Sequence, residues 1–119
     1  ITPGIPDKRV TYAVTRSYYS RLVRDGVKIY EYSPGFCHAK QCIADDEIAT
    51  CGTINLDYRS FYHHFENGVI MNNCKAVHDI KADFDETLSK CVEVTEKYLD
   101  GKKSINIFRQ LLRLFSVLM

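Results

Sequence analysis

An imidazole, an ammonium, a carboxylate and an amide fall close together in this chain. They are His38, Lys40, Asp45 and Asn55, ordered as H-x-K-x4-D-x6-G-T-x-N with Gly52 and Thr53 completing the pattern. Six defined positions within 18 residues are far more specific than a bare H-x-K pair. The chemistry they suit is transfer at a phosphodiester. Such a group is anionic and repels nucleophiles. Lys40 and Asn55 can neutralise and hydrogen-bond its non-bridging oxygens as charge redistributes in the transition state. A neutral imidazole at His38 can attack phosphorus and form a phosphohistidine. An imidazolium there can instead protonate the leaving oxygen. One histidine cannot do both in one step, so the chemistry calls for two imidazoles on opposite sides of phosphorus.

A histidine used in this way needs its second ring nitrogen held, and Glu66 in Phe65-Glu66-Asn67 is the candidate partner. Thr53 adds a hydroxyl to the substrate-binding set, and Gly52 permits close backbone approach. Arg59 follows the motif loop and suits either a second anionic headgroup or an ion pair. His63, His64 and His78 do not make a zinc site on this reading, because adjacent residues of an extended chain face opposite ways.

The surrounding sequence must place these groups. After an irregular start over residues 1–6, apolar Val10, Ala13, Val14, Tyr18 and Leu22 predict a helix over about 7–24, capped by Asp7 and ended at Asp25-Gly26. Residues 27–32 alternate like a short strand, and Ser33-Pro34-Gly35 turns the chain. Residues 37–44 and 48–53 read as two strands joined by the charged turn Asp45-Asp46-Glu47. On a strand, His38 and Lys40 share a face. Asp45, an odd number of positions away, serves the turn rather than the same substrate atom. Residues 55–64 read as irregular or as short helical turns, and 65–72 as a further strand. Val77, Ile80, Phe84, Leu88, Cys91 and Val92 predict a helix over about 75–98. A break follows at Asp100-Gly101, then a terminal amphipathic helix over 104–119. Basic Lys102, Lys103, Arg109 and Arg113 flank its apolar face, which suits either an anionic membrane surface or packing on a protein core. The expected fold class is α/β, a mixed sheet flanked by helices in one domain.

A chain of 119 residues at 45% hydrophobic and 26% charged composition fits a small folded domain. The formal net charge of +1 gives no general attraction to nucleic acid, which is therefore not an expected partner. The five cysteines, at 37, 42, 51, 74 and 91, lack CxxC spacing and read as reduced thiols. No apolar run approaches the roughly 18 residues that suggest a membrane span.

The motif resembles the HKD half-site of the phospholipase D superfamily. Its flanks resemble the C-terminal HKD region of bacterial cardiolipin synthases. These are Ser17-Tyr18-Tyr19, Gly26-Val27-Lys28-Ile29-Tyr30-Glu31-Tyr32, Pro34-Gly35-Phe36-Cys37-His38-Ala39-Lys40, and the run Gly52 to Phe61 with Phe65-Glu66. The resemblance spans nearly the whole chain. It implies that a phosphatidyl group passes between two phosphatidylglycerol molecules with release of glycerol, without a metal ion or other cofactor. It also implies that an acidic residue at the place of Glu66 holds the histidine. In the second half-site the histidine serves by analogy as the general acid and base.

The resemblance further implies partners that this sequence does not contain. They are a first HKD half, or a second copy of the chain to pool two His38 residues, and N-terminal membrane segments that would hold the parent at the bacterial cell membrane. The expected object is a truncated phospholipase D-like half-domain. Its alternatives are a homodimeric phosphodiesterase or nuclease of the same fold, or a catalytically incomplete piece. Tyr18, Tyr19, Tyr30 and Tyr32 suit either a headgroup channel or ordinary packing.

Overall fold

A computed structural model describes residues 1–99. Among the described residues the fold is mixed α/β, with two three-stranded sheets and flanking helices. The predicted break at Asp100-Gly101 and the predicted helix over 104–119 lie outside the described residues. The described residues divide into two compact units, one holding residues 1–37 with 90–99, the other His38–Ser89.

The first unit contains β1 (Thr2–Pro3), α1 (Arg9–Arg24), β2 (Tyr30–Tyr32), β6 (Cys91–Glu93) and α3 (Thr95–Leu99). Its sheet runs β1-β2-β6, parallel between the first two and antiparallel between β2 and β6. Local sequence pattern alone predicts an irregular start at β1 and one helix running through β6. The helical spacing of Val77, Ile80, Phe84 and Leu88 continues by coincidence to Cys91 and Val92. Pairing of Tyr32 with Cys91 and of Glu31 with Val92 overrides that local pattern. Thr95 fixes the junction by accepting the Ile29 N–H through Oγ1 at 3.0 Å.

Helix α1 begins one turn position later than expected. Lys8 stands at its N-terminus without a side-chain cap, and Asp7 does not serve. The buried stripe is Val14, Ser17, Tyr19 and Val23, so the core face turns away from Tyr18 and Leu22. The cause is Tyr19. Its hydroxyl donates to Thr2 Oγ1 at 2.8 Å, and its ring meets Tyr98 edge-on at 5.1 Å. Tyr19, Val23, Ile29 and Val94 form the core there. The helix stops where predicted, with Gly26 at φ +91° donating its N–H to the Val23 carbonyl.

The second unit contains β3 (Gln41–Ala44), β4 (Ile48–Gly52), β5 (Gly68–Asn72) and α2 (Lys75–Ser89), with a single π-helical turn at Arg59–His63. The strands pair antiparallel in the order β3-β4-β5. Helix α2 packs on β4 and β5, and both Val77 and Ala49 are fully buried. The strand expected over 37–44 is regular only from Gln41. That expected over 65–72 begins at Gly68.

Candidate active site

The β3–β4 hairpin carries the motif and separates its members between its two ends. At the open end, the Gly52 N–H donates to the Lys40 carbonyl at 3.2 Å. This ties the extended lead-in to β4 one step beyond the regular strand. His38 and Lys40 therefore come together with Gly52, Thr53 and Asn55 around one open cleft of about 210 Å³. The predicted shared face of His38 and Lys40 is thus realised on a lead-in segment. Lys40 Nζ lies 2.7 Å from the His38 carbonyl oxygen and donates to it.

Gly52 has a steric reason to be glycine. A Cβ there would lie 2.3 Å from the Asn67 carbonyl oxygen and 2.6 Å from Gly68 Cα. The close approach lets Thr53 lock onto the start of β5. The Thr53 N–H donates to the Asn67 carbonyl at 2.9 Å, and Thr53 Oγ1 accepts the Asn67 N–H at 3.0 Å. The single hydroxyl proton of Thr53 goes to Glu66 Oε2. Glu66 is thereby attached to a residue that lines the cleft. Its carboxyl is held below the usual range first by the Thr53 hydrogen bond and next by one from Ser60. The charge of Lys40 acts in the same direction.

Asn55 is positioned by the loop that follows it. Its N–H donates to Ser60 Oγ at 3.1 Å, and the Ser60 N–H donates to Asp57 Oδ1 at 2.8 Å. Ser60 is buried, at 8% exposure, in a loop that is otherwise largely open. The sequence reading did not single out Ser60. A signal was present, since Asp57 stands three residues ahead in the spacing of a side-chain cap on a helical turn.

Arg59 does not line the cleft. Its guanidinium donates to His64 Nε2 from Nη2 at 3.0 Å and from Nε at 3.3 Å. Arginine has only donors, so Nε2 accepts and the ring proton lies on Nδ1. Asp45 also stands apart. It and Asp46 have φ of +53° and +56°, the left-handed pair of a type I′ hairpin turn closed by the Glu47 N–H to the Ala44 carbonyl at 3.1 Å. Asp45 lines a separate hollow with Ile43, Asp46, Lys81, Phe84 and Asp85. The structure places it at the turn, where a short polar side chain tolerates positive φ.

The profile of the family described as cardiolipin synthase, PLD-like domain, matches residues 1–88. The chain belongs to this family. It is 38% identical over its full length to a cardiolipin synthase of Geobacillus, of which the match covers 24%. It is 39% identical over 98% of its length to cardiolipin synthase 1 of Bacillus cereus, covering 23% of that protein. An uncharacterized protein of Streptococcus mutans is 54% identical over 87% of the chain, covering 22% of its own length. The chain thus spans less than a quarter of these curated relatives. No solved structure matches it.

Proposed function

We propose that this PLD-like region supplies one half-site of a phosphatidyltransferase that makes cardiolipin from two phosphatidylglycerol molecules. The observation that carries the reading is the gathering of His38, Lys40, Thr53 and Asn55 around one cleft, with Glu66 bound to Thr53. The names of the matched relatives support the same reading.

In the first step one imidazole attacks phosphorus. A P–N bond forms, the P–O bond to glycerol breaks, and the second imidazole gives the departing glycerol its proton. In the second step a hydroxyl of another phosphatidylglycerol attacks the phosphohistidine. The second imidazole takes the hydroxyl proton, and the P–N bond breaks. Lys40 and Asn55 stabilise the non-bridging oxygens in both steps. Glu66 holds His38, and His38 serves as the acid and base opposite a nucleophilic histidine from a second HKD half or a second copy. Arg59 meets a further anionic headgroup only after releasing His64. Leu56, Phe61, Tyr62 and Phe65 are exposed on the loop that follows the motif. They suit work at a phospholipid membrane surface, the setting expected for the bacterial parent. No helix among the described residues is long and apolar enough to cross a membrane.

The test is lipid product analysis after incubation with phosphatidylglycerol vesicles, alongside His38→Ala. Cardiolipin and glycerol formed by wild type alone are the expected products. Phosphatidic acid in place of cardiolipin would replace transfer with hydrolysis, and equal turnover by His38→Ala would remove His38 from the reaction.

A further inference from the structure

We propose that Thr53 binds a hydroxyl of the substrate and not a phosphate oxygen, and so selects an acceptor that carries two neighbouring hydroxyls. The inference rests on the reading of the cleft as a phosphodiester site and assigns the part of the substrate that one of its walls takes.

A threonine hydroxyl has one proton to give and two lone pairs to receive. At Thr53 the proton is committed to the protein. It goes to Glu66 Oε2, and the Asn67 carbonyl, 3.2 Å from Oγ1, is the next acceptor in reach. An ionised carboxylate has no proton to return, so the Glu66 bond runs one way. One lone pair accepts the Asn67 N–H at 3.0 Å. The second lone pair is left over, on an exposed residue that lines the cleft. The neighbouring backbone donors are spent as well. The Thr53 N–H goes to the Asn67 carbonyl at 2.9 Å, and the Gly52 N–H to the Lys40 carbonyl at 3.2 Å.

The cleft therefore has two chemically opposite walls. Lys40 carries three protons and no acceptor, and gives one of them to the His38 carbonyl at 2.7 Å. The Asn55 amide adds N–H donors beside it. That wall suits phosphoryl oxygens. The wall of Thr53 and its bound Glu66 presents lone pairs and a negative charge. A phosphoryl oxygen there would be repelled, whereas an O–H would donate to Thr53. In the second step of the proposed transfer, the attacking hydroxyl gives its proton to an imidazole and has none for Thr53. The group that Thr53 accepts is then the neighbouring hydroxyl of the same glycerol headgroup, held while its partner attacks. A monohydric alcohol lacks that hydroxyl.

The experiment titrates isotopically labelled full chain with 1,2-propanediol, with 1-propanol and with dimethyl phosphate, a phosphodiester without hydroxyls. NMR follows the backbone amides. The diol is expected to bind about three- to tenfold more tightly than 1-propanol, as one net hydrogen bond allows, with shifts centred on Thr53. Thr53→Val removes the hydroxyl and keeps the shape. It is expected to abolish the preference while dimethyl phosphate binds as before, and Thr53→Ser is expected to keep it. Equal binding of the diol and 1-propanol by wild type would overturn the proposal. So would a preference that survives Thr53→Val, or a parallel loss of dimethyl phosphate binding in that variant. Should Thr53→Val not fold, wild type decides instead: the diol preference persists at saturating dimethyl phosphate if the two walls are separate, and disappears if the diol takes the place of the phosphate. A wild type that fails to bind dimethyl phosphate would count against the phosphodiester reading, while the diol preference still decides the role of Thr53.

Discussion

The two ends of the β3–β4 hairpin are built from the same motif and do different work. The open end brings His38, Lys40, Thr53 and Asn55 to one cleft. The closed end holds Asp45 and Asp46 in left-handed conformations beside Lys81 and Asp85. Lys81 is paired there with Asp85 one helical turn on. At the open end the polar groups converge on space that a substrate oxygen can occupy. At the closed end they are spent on a turn and on an ion pair within α2. A motif written as one line of sequence therefore divides between a cleft and a turn, and strand geometry separates them.

The comparison is sharpest where a substitution changes rate at one end and stability at the other. Lys40→Ala is expected to have the largest effect. Loss of its charge from the developing phosphoryl oxygens should lower phosphatidyl transfer by about 10²–10³-fold, read as the initial rate of cardiolipin formation. A loss under about threefold would place Lys40 outside the transition state.

Gly52→Ala comes next and acts through the backbone. The new methyl group meets the Asn67 carbonyl and Gly68 Cα, so β4 and β5 must separate or the chain must shift. Denaturant unfolding should show a loss of about 1–3 kcal/mol. An unchanged midpoint would mean that this end of the sheet can yield without cost.

The gathering of the candidate residues around one cleft was legible because they are close in sequence and their types are chemically specific. His38, Lys40, Thr53 and Asn55 needed only one hairpin to meet. What was not legible depends on contacts made at a distance. Strand β6 exists because Cys91–Glu93 finds β2 across some 60 residues of chain, and no local signal at Val92 distinguishes it from the end of an amphipathic helix. The rotation of the α1 core face likewise follows from Thr2 and Tyr98 meeting Tyr19. Ser60 meets the Asn55 N–H only because the loop after β4 folds back on itself. Its partner Asn55 is identifiable from the motif, while Ser60 is not.

A smaller effect is expected from pH. Hydrogen bonds from Thr53 and then Ser60 hold the folded-state Glu66 carboxyl below its unfolded value. The stabilisation this brings is complete above the unfolded carboxylate range. It is lost as pH falls through the folded value. Glu66→Gln should therefore lower stability near neutral pH and flatten its fall below about pH 4.5, where wild-type Glu66 takes up its proton. Thermal midpoints across pH 3–7 check this, and parallel curves for the two proteins would contradict it. The smallest effect belongs to the turn. Asp45→Ala places a residue with no local side-chain hydrogen bonding at φ +53° and should cost about 1 kcal/mol, whereas Asp45→Gly should not. Thermal melts of the two variants distinguish them.

The central claim is that the open end of the hairpin binds a phosphodiester and the closed end does not. It is tested most directly by titrating isotopically labelled protein with a short-chain, water-soluble phosphatidylglycerol and following every resonance. The account predicts saturable shifts at His38, Lys40, Thr53 and Asn55, reduced in Lys40→Ala, with Asp45 and Asp46 unmoved. Shifts centred on the Asp45–Asp46 turn, or binding that survives Lys40→Ala unchanged, would contradict it.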